Sequence, residues 1–171
     1  MASWTTFSAN KKLGEIMSYR ISDLIEKLIK IEEDGVELYT SIEKQFQESF
    51  SQISIVAKIL ANQEKKHILY YQELMKNIEE EMNCEIDFFL YDKAAKQLFE
   101  FRNHIHMYKL DDVKGLIHFA VDLEKKNIGL LLDIQGKLFE KLEDVSDEVY
   151  KVLTKIIEEE KQHENMLEKF K

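Results

Sequence analysis

Proline is missing from the 171-residue chain, glycine occurs five times and cysteine once. With so few residues that interrupt a helix, long helices joined by a few loops are the expectation. The lone Cys84 excludes an internal disulfide and any C-x-x-C metal knuckle. No stretch approaches the ~20 apolar residues of a membrane span, and the first eighteen residues lack the apolar core of a signal peptide. A cytoplasmic protein is therefore expected, with an N-terminal segment (1–18) ahead of one domain (19–171). A basic block is also lacking. The net charge is −9 with lysines and acids interspersed, which leaves nucleic acid without an electrostatic footprint. What remains, 44% hydrophobic and 33% charged residues, is the balance of a folded, helix-rich protein.

Four segments carry apolar residues at three- and four-residue steps: Tyr19–Phe46, Ile53–Met82, Asp112–Phe139 and Val145–Phe170. Short loops, QESFSQ and EKLEDVS, predict that the first two and the last two helices form antiparallel hairpins. Between the hairpins lie about thirty residues, too many for a turn, which predicts a crossover along the bundle with a short helix near Lys93–Phe101. The fold class is thus all-α, a four-helix bundle. The hairpins also match each other: Leu24 with Leu116, Glu32 with Glu124, Ile42 with Ile134, and Glu64 with Glu160, His67 with His163.

Each helix breaks its apolar stripe once. Leu24 and Leu28 lead to Glu32; Ala57 and Leu60 lead to Glu64 and His67; Ala120 and Val121 lead to Glu124; Leu153 and Ile156 lead to Glu160 and His163. Burying one unpaired carboxylate costs several kcal/mol at least, and four converging ones repel each other as well. Two divalent cations would offset four carboxylates, and neutral imidazoles add donors without altering the charge. Residues three apart on a helix lie side by side, so Glu64 with His67, and Glu160 with His163, can each present oxygen and nitrogen to one ion. Glu32 and Glu124 would cap or bridge the pair.

These residues match the ligand set of carboxylate-bridged dimetal bundles. With Glu32-x-x-Gly35-x-x-x-Tyr39, Glu64-x-x-His67, Glu124 and Glu160-x-x-His163, the chain from Tyr19 to Phe170 resembles the rubrerythrin branch of the ferritin-like superfamily. That resemblance implies a ferritin-like bundle holding two iron ions, with manganese or mixed occupancy as alternatives. It further implies reduction of hydrogen peroxide or oxygen, protection against oxidative stress, and a homodimer. A rubredoxin-like domain finds no place in a chain with one cysteine, so an external electron donor such as a separate rubredoxin is implied. Two other departures stand out. Asn127 occupies the place of an additional ligand glutamate, and Leu131 stands where the symmetry would put a partner for Tyr39.

Tyr39 is expected either to hydrogen-bond a ligand carboxylate or to serve as a core tyrosine. Tyr70 and Tyr71 read as packing residues. Glu33, Glu37, Glu158 and Glu159 turn outward by the helical period and read as a solvated face. His104 and His106 lie in the crossover without interior acids and read as surface or packing residues; His118 reads as the partner of Asp122 in a surface ion pair. Cys84 suggests no role. Two rival functions fit the same residues: iron oxidation coupled to storage or delivery, and a non-enzymatic bundle whose crossover aromatics (Phe88, Phe89, Tyr91, Phe99, Phe101) meet a partner.

Overall fold

The computed structural model describes residues 19–78, 85–106, 113–141 and 147–171. The expectations for segment 1–18 and Cys84, and the side chain of His106, fall outside the described residues. Five helices are described: α1 (Ile21–Phe46), α2 (Ser51–Asn77), α3 (Phe88–His106), α4 (Val113–Lys141) and α5 (Asp147–Glu168). Two short strands, β1 (Tyr19–Arg20) and β2 (Glu85–Ile86), pair antiparallel with Tyr19 opposite Ile86.

The expected hairpins are present. Glu43 of α1 meets Ser54 and Lys58 of α2, whereas Gly35, a little over two turns earlier, meets Glu64; the register runs opposite along the two helices. Gln135 of α4 bonds Thr154 of α5 and Asn127 bonds Glu160, the same reversed order. α2 also packs against α5, which brings the two E-x-x-H helices face to face.

The crossover helix is longer than expected, and three features explain it. Asp87 caps its start, with Oδ1 accepting from the backbone N–H groups of Phe89 (3.0 Å) and Leu90 (3.2 Å). Leu90, Ala94, Leu98, Phe101 and Ile105 then form a buried stripe at helical spacing. Polar links tie it down: Arg102 Nη2 donates to Asp34 Oδ1 of α1 at 3.0 Å, and Gln97 donates to Asp133 of α4 at 2.9 Å. The proposed aromatic partner face is correspondingly smaller. Phe101 is buried and Tyr91 stacks on Tyr19 at 3.7 Å between ring centroids, leaving Phe88, Phe89 and Phe99 exposed. At its start α1 is two residues shorter than the periodicity suggests, because Tyr19 and Arg20 belong to the strand pair, and α2 ends at Asn77 rather than Met82.

The apolar core falls into two clusters. One gathers Leu24, Leu28, Leu98, Leu131, Ile134, Leu153 and Ile156; the other gathers Tyr39, Ile42, Leu60, Leu116, Ala120 and Leu167. Each fully buried Leu or Ile contributes roughly 1.5–3 kcal/mol. Along α1, α2 and α5 the band between the clusters is where the glutamates and histidines lie, so apolar layers hold a polar one on either side. None of the described helices is long and apolar enough to cross a membrane.

Candidate metal centre

The polar band brings all six predicted side chains together. Glu160, His67 and His163 are fully buried, and Glu32, Glu64 and Glu124 expose at most 3%. Their potential ligand atoms form two groups, Glu32/Glu64/His67/Glu160 and Glu64/Glu124/Glu160/His163, each with its atoms within 4.8 Å of one another. The groups share Glu64 and Glu160. Glu64 turns Oε2 to His67 Nδ1 (3.0 Å) and Oε1 to His163 Nδ1 (3.5 Å); Glu160 turns Oε1 to His67 Nδ1 (3.4 Å) and Oε2 to His163 Nδ1 (2.8 Å). Glu32 faces His67 at 3.5 Å and Glu124 faces His163 at 3.9 Å. Of the two roles open to Glu32 and Glu124, the grouping therefore fits the terminal one, each belonging to one group, while the E-x-x-H glutamates, belonging to both, are placed where they could bridge.

Both Nδ1 atoms, Glu64 Oε2 and Glu160 Oε2 are buried without a hydrogen bond among the described residues. Such orphaned donors and acceptors are rare in a folded interior. Here they converge, and they are nitrogen and oxygen donors of the kind divalent ions take. The donor set therefore fits a pair of cations.

Electrostatics shows how the protein alone copes with this density of charge. Burial pushes Glu32 and Glu124 well above the usual carboxylate range, and neighbouring acids add to the rise. Burial disfavours a charged His163, yet the nearby carboxylates of Glu160 and Glu64 outweigh it and lift the imidazole to about 11. His67 is raised in the same way, burial being overcome by Glu160, Glu32 and Glu64. Burial opposes an ionised Glu160 as well, but the two imidazoles hold its carboxyl below the usual range.

A family model described as Rubrerythrin matches residues 23–171. The chain belongs to the rubrerythrin family. Comparison with curated proteins and with solved structures gives no match. For this rubrerythrin-family chain, a di-iron carboxylate family and a buried cluster able to hold metal ions agree with each other.

The surroundings of the centre are unequal. Tyr39 donates its hydroxyl to Glu124 Oε1, one of the two roles left open to it, and burial together with the Glu124 charge raises its phenol well above the ordinary value. Asn127 donates Nδ2 to Glu160 Oε1 at 2.8 Å, so a residue noted only as a departure from the family supports a shared ligand. Gly35 leaves room for the Glu64 side chain: a Cβ there would lie 3.3 Å from Glu64 Cγ. Tyr71 is fully buried, with no partner for its hydroxyl among the described residues.

Two surface expectations need correction. Glu159 is not simply solvated, because its Oε2 lies 3.3 Å from His67 Nε2 and its Oε1 accepts from Tyr70 at 3.4 Å. The helical period pointed Glu159 away from its own bundle seam, but α2 lies across that edge and supplies the imidazole. Asp122 pairs with Lys126 (2.7 Å) and His104 (3.6 Å) in place of His118, since one belongs to its own helix face and the other to the adjoining α3. Glu158 and Glu37 are exposed and Glu33 pairs with Lys30, as expected of an outward face.

Proposed function

We propose that the chain is a di-iron oxidoreductase that reduces hydrogen peroxide, with oxygen as an alternative oxidant. The observation that carries this reading is the pair of buried, unbonded imidazole Nδ1 atoms set among four interior carboxylates. An iron pair held there would supply the two electrons that, with two protons, convert peroxide to two waters.

The chain's own residues divide the remaining work. Glu32 with His67, and Glu124 with His163, would each hold one ion, while Glu64 and Glu160 offer one oxygen to each position. Four carboxylates balance the charge of two divalent cations, so a neutral assembly replaces a costly buried cluster of acids. Tyr39 fixes Glu124 through its hydroxyl, and Asn127 fixes Glu160. The flanking apolar layers keep bulk water away. A homodimer and an external donor such as a separate rubredoxin complete the reading; the family resemblance supports them.

Metal analysis of the purified protein, with visible spectra before and after peroxide, tests the proposal. Iron should be present at two ions per chain, matching the two ligand groups. The reduced, iron-loaded protein should consume peroxide faster than the same concentration of free Fe(II); equal rates would overturn the enzymatic reading. Glu64→Ala and Glu160→Ala should each lower metal content, whereas Glu33→Ala, on a side chain 43% exposed, should not. A large hollow assembly on gel filtration would favour iron storage.

A further inference from the structure

The two imidazoles face the centre alike but are held differently from behind. His67 turns Nε2 toward Glu159 Oε2 at 3.3 Å. Its counterpart, His163 Nε2, is buried with no partner among the described residues. Glu159 is itself gripped: Tyr70 donates to its Oε1 at 3.4 Å, which leaves Oε2 for the imidazole, and Lys155 Nζ lies 3.7 Å over the Tyr70 ring. The Glu159 side chain is 19% exposed, so its charge escapes the full cost of burial.

We propose that Glu159 is a positioning residue that makes the two metal positions unequal, so that the Glu32/His67 position binds more tightly than the Glu124/His163 position. This inference rests on the dimetal reading above. A carboxylate behind an imidazole selects the tautomer with hydrogen on Nε2 and the lone pair on Nδ1, where the ion would sit, and makes that nitrogen a stronger donor. Among the described residues, only His67 receives this support.

The other contacts come from neutral donors and bring no charge to an imidazole. Tyr39 donates to Glu124, a ligand of the weaker position alone, as a neutral group, without the charge that Glu159 brings to His67. Asn127 donates to Glu160, a ligand both groups share, so its effect does not discriminate strongly.

Calorimetric titration of the metal-free full chain with Co(II) tests the inference. The wild type should show two resolved binding steps. Glu159→Ala should weaken the tighter step by roughly 10- to 100-fold, the usual effect of removing such support, and leave the weaker step unchanged. Glu159→Gln, which keeps an acceptor without the charge, should fall between, and Tyr70→Phe should shift the same step by less. In the Co(II)-loaded protein, one of the two hyperfine-shifted imidazole N–H resonances should move in Glu159→Gln and the other stay. Equal weakening of both steps, or two unmoved resonances, would overturn the role of Glu159 while leaving the dimetal centre standing. No Co(II) uptake by the wild type would overturn the dimetal reading and this inference with it.

Discussion

Replacing Gly35 by alanine should make the metal-free protein more stable and its metal binding weaker, two effects that ordinarily travel together in the opposite sense. Gly35 lies in the middle of α1, and none of the described glycines has a positive φ, so the backbone accepts alanine. Glycine in a helix interior costs about 0.5–1 kcal/mol relative to alanine. For a chain of this size that gain corresponds to roughly 1–4 °C in melting temperature. The new Cβ, however, would lie 3.3 Å from Glu64 Cγ and 3.6 Å from its Cδ. Carbon atoms sit best at about 3.5–4.0 Å, so Glu64 must retreat by about 0.2–0.7 Å. Metal–ligand distances tolerate about 0.2 Å, so the retreat uses the whole allowance. Because Glu64 belongs to both ligand groups, both positions should weaken, by about tenfold or more. Scanning calorimetry of the metal-free variant and a competitive Co(II) titration measure the two halves. A raised melting temperature with unchanged affinity at both positions would refute the idea that the absent side chain makes room for a shared ligand.

Tyr39→Phe removes the buried donor to Glu124, and a bond to a charged acceptor is worth about 1.5–3 kcal/mol; the weaker Co(II) step should soften while the tighter one holds. Metal uptake should release protons, since carboxylate oxygens 2.8–3.0 Å from each imidazole Nδ1 favour the protonated ring and an ion requires the deprotonated one; titration heats should vary with the ionisation enthalpy of the buffer. On the surface, the Lys137 ammonium holds Asp133 below the usual carboxylate range. Its contribution to stability is therefore complete above the unfolded value and is lost as pH falls through the lower folded one. Asp133→Asn should flatten the decline of urea midpoints on acidification below about pH 4.

Much of this molecule was legible before any tertiary contact was known. A helix has one period, so a sequence that places apolar residues every three or four positions also declares which polar residues share that face. Glu32, Glu64, His67, Glu124, Glu160 and His163 declared themselves by interrupting their own stripes, and the band between two apolar clusters is where they meet. The crossover helix was visible only in part, because its start depends on Asp87 accepting from the next turn and its full stripe on neighbours in α1 and α4.

Relations between helices were beyond reach, for the period of one helix says nothing about its register against another. Which glutamates are shared was decided by how α2 and α5 face each other, which sets Glu64 and Glu160 between the two imidazoles. The same packing turned Glu159, an outward residue by the reckoning of its own helix, onto the back of His67. It also fitted the bare backbone of Gly35 against Glu64. The local code chose the side chains that enter the centre; the lateral fit of the helices chose how many ions each one can serve, since only atoms brought within a few ångströms can share a charge.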